Sequence, residues 1–138
     1  MGFLFNDVNE IREKVKENFL NTKDYLVTMK YNDIERSILQ LVISRLFYIF
    51  DSARTFVLNF NEKGVYELEI SNGVKGKFVL IPWHEISNLE LYYKNNKAII
   101  TFFHIGKKLS YEIYFDRKIF NDNYKNLENL KSKNFYRI

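Results

Sequence analysis

Few residues in this chain could carry chemistry. His84 and His104 are its only histidines, and it has no cysteine. A zinc site needs three or four ligands, so carboxylates would have to complete any site built on these two. Neither an H-E-x-x-H spacing nor a close histidine pair is present. His84-Glu85 reads as a turn dipeptide with no activated nucleophile beside it. Glu67 and Glu69 stand two apart, and paired carboxylates do acid–base work when burial separates their pKa values. Alternation sets them on the side away from Tyr66 and Leu68, so the plainer reading puts them in water. Gly73-Val74-Lys75-Gly76-Lys77 is the nearest approach to a phosphate loop. It joins two strand patterns, and no helix N-terminus comes after it to aim N–H groups at a phosphate. The expectation is a chain without enzyme activity, metal or cofactor.

Candidate binding residues are of two kinds. In a simple meander, alternate turns share an end of the sheet. Lys75, Lys77, Lys94 and Lys97 would then form one rim for an anionic headgroup or a nucleic-acid phosphate, with Lys63, Lys107 and Lys108 opposite. Lysines at turns ordinarily keep a chain soluble and its edges apart. The net charge is +4, and all of it falls after residue 50. This permits weak contact with a membrane surface but falls short of a dedicated nucleic-acid face, so no specific nucleic acid is expected. The second candidate is apolar. Residues 38–50 form an apolar run broken by Gln40 and Arg45, and are too short for the roughly 20 residues of a membrane span. Phe47, Ile49 and Phe50 lie where the chain must leave for the sheet, so intrachain cover is thinnest there. They are the predicted interface of a homo-oligomer.

Periodicity places these residues on elements. Val8, Ile11, Val15 and Phe19 fall on one stripe of a helix over residues 7–20, with Asp7 and Glu10 as a capping box. Residues 25–31 alternate as a strand, and a largely apolar second helix is predicted over 33–50. From Arg54 the period becomes two. Turns at Glu62-Lys63-Gly64, Asn72-Gly73, Asn95-Asn96 and Gly106-Lys107 divide the strands. Pro82 cannot donate to a ladder and ends a strand. Trp83 comes next in a tight step and reads as a plug at one end of the sheet, with Ile86 resuming the pattern. A final helix lies within 117–131 on the stripe Phe120, Tyr124, Leu127, Leu130. Asn121-Asp122-Asn123 leaves its start open, because these residues favour caps. Asparagine and lysine are frequent throughout, as an AT-rich genome would produce.

Three segments resemble bacterial pleckstrin-homology-like (PH-like) domains, in particular the YcxB-like group. Phe60-Asn61-Glu62-Lys63-Gly64-Val65-Tyr66 is similar to that group's first hairpin. Ile81-Pro82-Trp83-His84-Glu85-Ile86 resembles its I-P-W-x-x-I step. Phe115-Asp116-Arg117-Lys118-Ile119-Phe120-Asn121 resembles its passage into the last helix, with Asp116 where proline is usual. The resemblance covers roughly residues 54–138. It implies an α+β fold: a strongly bent antiparallel seven-stranded sheet, a PH-like partly open barrel, with a C-terminal helix. It implies no enzyme activity.

The expected organisation is one domain over 1–138. Residues 1–53 are a helical extension plus the first strand, and 54–138 the PH-like core. The apolar start lacks a basic region and a cleavage site, so it does not read as a secretory signal. With no cysteine, a reducing cytoplasm is the expected setting. The expected function is a non-catalytic interaction domain that binds a protein or itself. The alternative is peripheral binding of anionic lipid or nucleic acid through the lysine rim. If Trp83 is a plug, Trp83→Ala should destabilise the fold by about 3–5 kcal/mol in urea unfolding. A change under about 1 kcal/mol would mean an exposed ring.

Overall fold

The structure is a computed structural model, described over residues 8–31, 54–71, 73–116 and 118–137. Helix α1 (Val8–Phe19) precedes strand β1 (Tyr25–Lys30). Six further strands are β2 (Thr55–Asn61), β3 (Gly64–Glu69), β4 (Val79–Pro82), β5 (Ile86–Lys94), β6 (Lys97–His104) and β7 (Lys107–Tyr114). Helix α2 (Asn123–Ser132) follows β7, and short 3₁₀ turns occupy Trp83–Glu85, Lys118–Phe120 and Asn134–Tyr136. The predicted helix over 33–50, the capping residue Asp7 and the expected interface Phe47, Ile49 and Phe50 lie outside the described residues. Just before β2, the Arg54 carbonyl accepts the Lys30 N–H at 2.9 Å.

All seven strands form one antiparallel sheet in the order β4-β3-β2-β1-β7-β6-β5. β4 and β5 are therefore its two edges, although only Trp83–Glu85 separates them in sequence. In a flat sheet, six strand spacings would set those edges about 29 Å apart. The link from Pro82 to Ile86 can reach only about 14 Å. The sheet must bend until its edges meet at that corner. Among the described residues β4 and β5 are not paired, so the sheet stays open.

Bending gives the sheet two packed faces. The concave face gathers Leu26, Phe56, Leu58, Phe60, Ile81, Ile100, Phe102 and Tyr111, with Leu127 and Leu130 of α2 laid across them. On the convex face, Val27, Val57, Leu68 and Ile70 meet Ile11 and Val15 of α1 and the buried pair Ile119 and Phe120. Every residue of β2 from Thr55 to Phe60 is buried, because both of its faces are covered.

α2 is held by more than its apolar stripe. β1 pairs with β7 only at Met29 and Lys30. Toward its N-terminal end, the β1 edge that β7 leaves is taken by asparagines. The Asn123 amide donates to the carbonyls of Val27 and Tyr114, both at 2.8 Å, and its oxygen accepts the Val27 N–H at 2.9 Å. One turn on, Asn126 donates to the Tyr25 carbonyl at 3.0 Å. Asn129 donates to the Lys23 carbonyl and to Asp24 Oδ1, both at 2.9 Å. Spacing of three puts these amides on one helix face, and spacing of two puts the three carbonyls on one strand edge.

Asp24 is the second anchor. Its buried carboxylate accepts from Asn21 (3.0 Å), Asn129, Lys133 (3.2 Å) and the Tyr136 hydroxyl (2.5 Å). The last two donors flank a turn in which Asn134, Phe135 and Tyr136 all have positive φ (52°, 54° and 64°). Left-handed backbone costs a non-glycine residue about 1–2 kcal/mol. Burial of Phe135 against Phe60, with ring centroids 5.4 Å apart, offsets it together with the Asp24 bonds.

A third polar tie joins three elements. Asp122 accepts from Arg12 of α1 at 2.8 Å and from the Tyr25 hydroxyl at 3.0 Å. Partial burial opposes its charge, but the bonds from Arg12 and Tyr25 outweigh that and lower its pKa. Burial, reinforced by Asp122, raises the Tyr25 pKa and keeps its hydroxyl a donor.

These ties differ in what their removal should cost. Asn123→Ala strips two buried backbone groups of Val27 and one part-buried carbonyl of Tyr114 of their partner and should cost about 2–4 kcal/mol, whereas the more exposed Asn129→Ala should cost under about 1. Urea unfolding measures both, and equal costs would refute the ranking. A carboxyl with a lowered folded pKa stabilises above its unfolded value and loses that contribution as pH falls through the folded one. The stability gap between wild type and Asp122→Asn should therefore be full at neutral pH and close below about pH 4. A gap that widened in acid would contradict the tie.

Candidate functional site

α1 ends one residue sooner than the predicted range of 7–20. Phe19 is its last residue, and Leu20 turns to φ 63° while its N–H still donates to the Lys16 carbonyl at 2.9 Å. Glycine or asparagine usually takes that position, because a β-carbon is strained there. Leu20 is also 88% exposed. Beneath it, the Phe19 ring meets Tyr66 and Phe78 edge-on, with centroids 4.8 and 4.9 Å apart. Asn18, Asn61, Glu62 and Lys63 complete the wall of an open groove of about 330 Å³. Leu80 pairs with Tyr66 across the β3–β4 ladder and extends the apolar surface to the edge strand. The groove offers aromatic faces, one projecting leucine and amide groups at its border. Its lining contains no histidine, serine or threonine.

The corner beside it is built around Trp83. Its indole N–H donates to the Asn61 carbonyl at 2.8 Å and its backbone N–H to the Lys63 carbonyl at 3.2 Å. The half-buried ring lies 6.5 Å from Phe60. Pro82 ends β4 opposite Gly64, and Ile86 opens β5 opposite His104. A β-carbon on Gly64 would lie 2.2 Å from the Ile81 carbonyl oxygen, so glycine is required where the strands cross. Glu85 shares a hydrogen bond with the His104 ring at 2.8 Å, with His84 3.7 Å from its other oxygen. Among the described residues no group of three His, Asp or Glu side chains is arranged to hold a metal.

Two expectations about charge need correction. Glu67 is not simply in water. It shares the concave face with Val65, Leu58 and Phe60, is half-buried, and accepts from the Tyr111 hydroxyl across the bend. Burial first, and Glu67 second, raise the Tyr111 pKa and keep the hydroxyl protonated. Glu69 does reach solvent, paired with Arg54 at 2.9 Å. The two carboxylates thus have separate partners.

The second correction concerns the rim. A simple meander would make β4 and β5 neighbours, but they are opposite edges. Strand direction, traced through the antiparallel register, puts the β3–β4 connection where β1 finishes, and the β5–β6 turn where β1 begins. Lys75 and Lys77 therefore do not share a sheet end with Lys94 and Lys97. Lys97 is moreover engaged with Glu112, which outweighs the cost of burial and raises the Lys97 pKa. Lys75 and Lys77 are exposed, in a loop whose Val74 faces Glu10, Glu13 and Glu17 of α1.

No family model matches the chain, and no curated protein matches it. Among the described residues, no helix is long and apolar enough to cross a membrane.

Proposed function

We propose that the chain is a non-catalytic interaction domain of PH-like fold, acting in the cytoplasm, that receives an apolar side chain of a partner protein in the Phe19–Tyr66–Phe78 groove. The fold assignment draws support from the seven-stranded antiparallel sheet, its converging edges at the Trp83 corner and the helix laid across its concave face. The observation that carries the binding reading is Leu20. A leucine at positive φ and 88% exposed has two local reasons to be replaced by glycine or asparagine. Strained positions of this kind cluster where a fold makes contacts. One exposed leucine alone would mean little; here it stands over a cluster of three aromatic rings.

The lysine-rim alternative has less support, since its four residues do not share an end and one is engaged with a glutamate. A photo-crosslinking residue at Leu20, used in cells, tests the groove. The expected result is a discrete adduct with one protein, lost when Phe78→Asp is added, while both variants keep wild-type circular dichroism. An adduct that persists in Phe78→Asp, or none at all, would refute the groove. Salt-sensitive sedimentation with vesicles containing phosphatidylserine would favour the rim instead.

A further inference from the structure

β5 has one paired edge. Its partner is β6, and among the described residues no strand takes the other side. The two-residue turn Asn95-Asn96 makes Lys94 and Lys97 a hydrogen-bonded pair, so Tyr92 with Ile99 and Glu90 with Thr101 are hydrogen-bonded pairs as well. By the same alternation, the backbone N–H and C=O groups of Leu91 and Tyr93 point outward from the sheet. The Leu89 carbonyl accepts Arg137 Nη1 at 3.5 Å, which marks the outward direction independently. Toward its start the strand is shielded by a register shift between Ser87 and Glu90, with Asn88 at φ 54°. Such bulges protect edges, and this one stops short of residues 90–94.

We propose that β5 pairs edge to edge with β5 of a second copy of this chain, antiparallel and centred on Tyr92. In that register Leu91 of each copy lies opposite Tyr93 of the other. Both residues present outward backbone groups, so four main-chain hydrogen bonds form. Tyr92 faces its own counterpart as a non-hydrogen-bonded pair, where α-carbons approach to about 4.5 Å. Glu90 of each copy stands opposite Lys94 of the other, so the two-fold axis yields two ion pairs from one pair of residues. Shifting the centre to Leu91 or Tyr93 keeps two-fold symmetry but sets Glu90 opposite Tyr92, or Lys94 opposite Tyr92, and matches no charges. That match selects a second copy rather than an arbitrary extended peptide. The inference rests on reading this chain as an interaction domain, but uses a surface separate from the groove.

A five-residue edge gives a small interface, so the dimer should be weak. Light scattering on a dilution series up to about 1 mM should show monomer passing to dimer. Glu90→Lys or Lys94→Glu alone should raise the dissociation constant about 10-fold, and the double exchange should return it to within about 3-fold of wild type. Because the chain has no cysteine, Tyr92→Cys places a single thiol at the axis. Mild oxidation should yield a disulfide-linked dimer at low concentration, whereas Asn88→Cys should not. Leu20→Asp should dimerise as wild type does, so failure of the groove reading leaves this result intact. A monomer at every concentration overturns the proposal. So does a dimer that ignores the charge exchange or fails to crosslink through Tyr92→Cys.

Discussion

The exchange of strand for side chain along β1 is the constraint on which the rest of the molecule depends. A sheet bent far enough for β4 to meet β5 cannot keep full pairing at every seam, and this one gives way between β1 and β7. From Met29 toward the start of β1 the strands separate, and the backbone groups of Val27 would be buried without partners. The Asn123 carboxamide has one acceptor and two donor hydrogens, the same kinds of group that a peptide bond presents. It enters the seam and takes all three positions. Because burying an unpaired polar group costs about 1–3 kcal/mol, the seam can open only where an amide fills it.

That insertion dictates the placement of α2. Asn126 and Asn129 continue the line back along β1, so the helix is aligned by hydrogen bonds as well as by apolar contact. The same buried face delivers Leu127 and Leu130 to the concave core. The carboxylate of Asp24 then fixes the chain beyond the helix, gathering Lys133 and Tyr136 so that Phe135 enters the core through a left-handed turn. Asp122, at the other end of α2, ties the same strand to α1. Polar side chains set orientation here, and apolar burial supplies most of the stabilisation.

Both surfaces that could meet a partner are by-products of this bending. The groove exists because α1 covers only the convex face of β1–β3 and stops at Phe19, above Tyr66 and Phe78. The β5 edge exists because the sheet converges at the Trp83 corner without closing. Had β4 and β5 paired, the barrel would be shut and that edge gone.

The sequence by itself determined the element types, because periods of 3.6 and 2 arise from backbone geometry whatever the surroundings. Seven strands, α1 and a terminal helix were legible in that way, as was the break at Pro82. Leu20 fell inside the predicted range of the first helix, and only the chain's turn toward β1 put it outside. Asn123, Asn126 and Asn129 were visible at helical spacing but were indistinguishable from the asparagine background of the chain. Their role depends on a gap between β1 and β7 that no local pattern encodes. Glu67 and the four lysines were misplaced for a related reason: alternation tells which residues share a face, not which face is concave or which strands become edges. Those choices belong to tertiary structure, since they depend on how far twist accumulates across seven strands and on which side chains can fill the seam it opens.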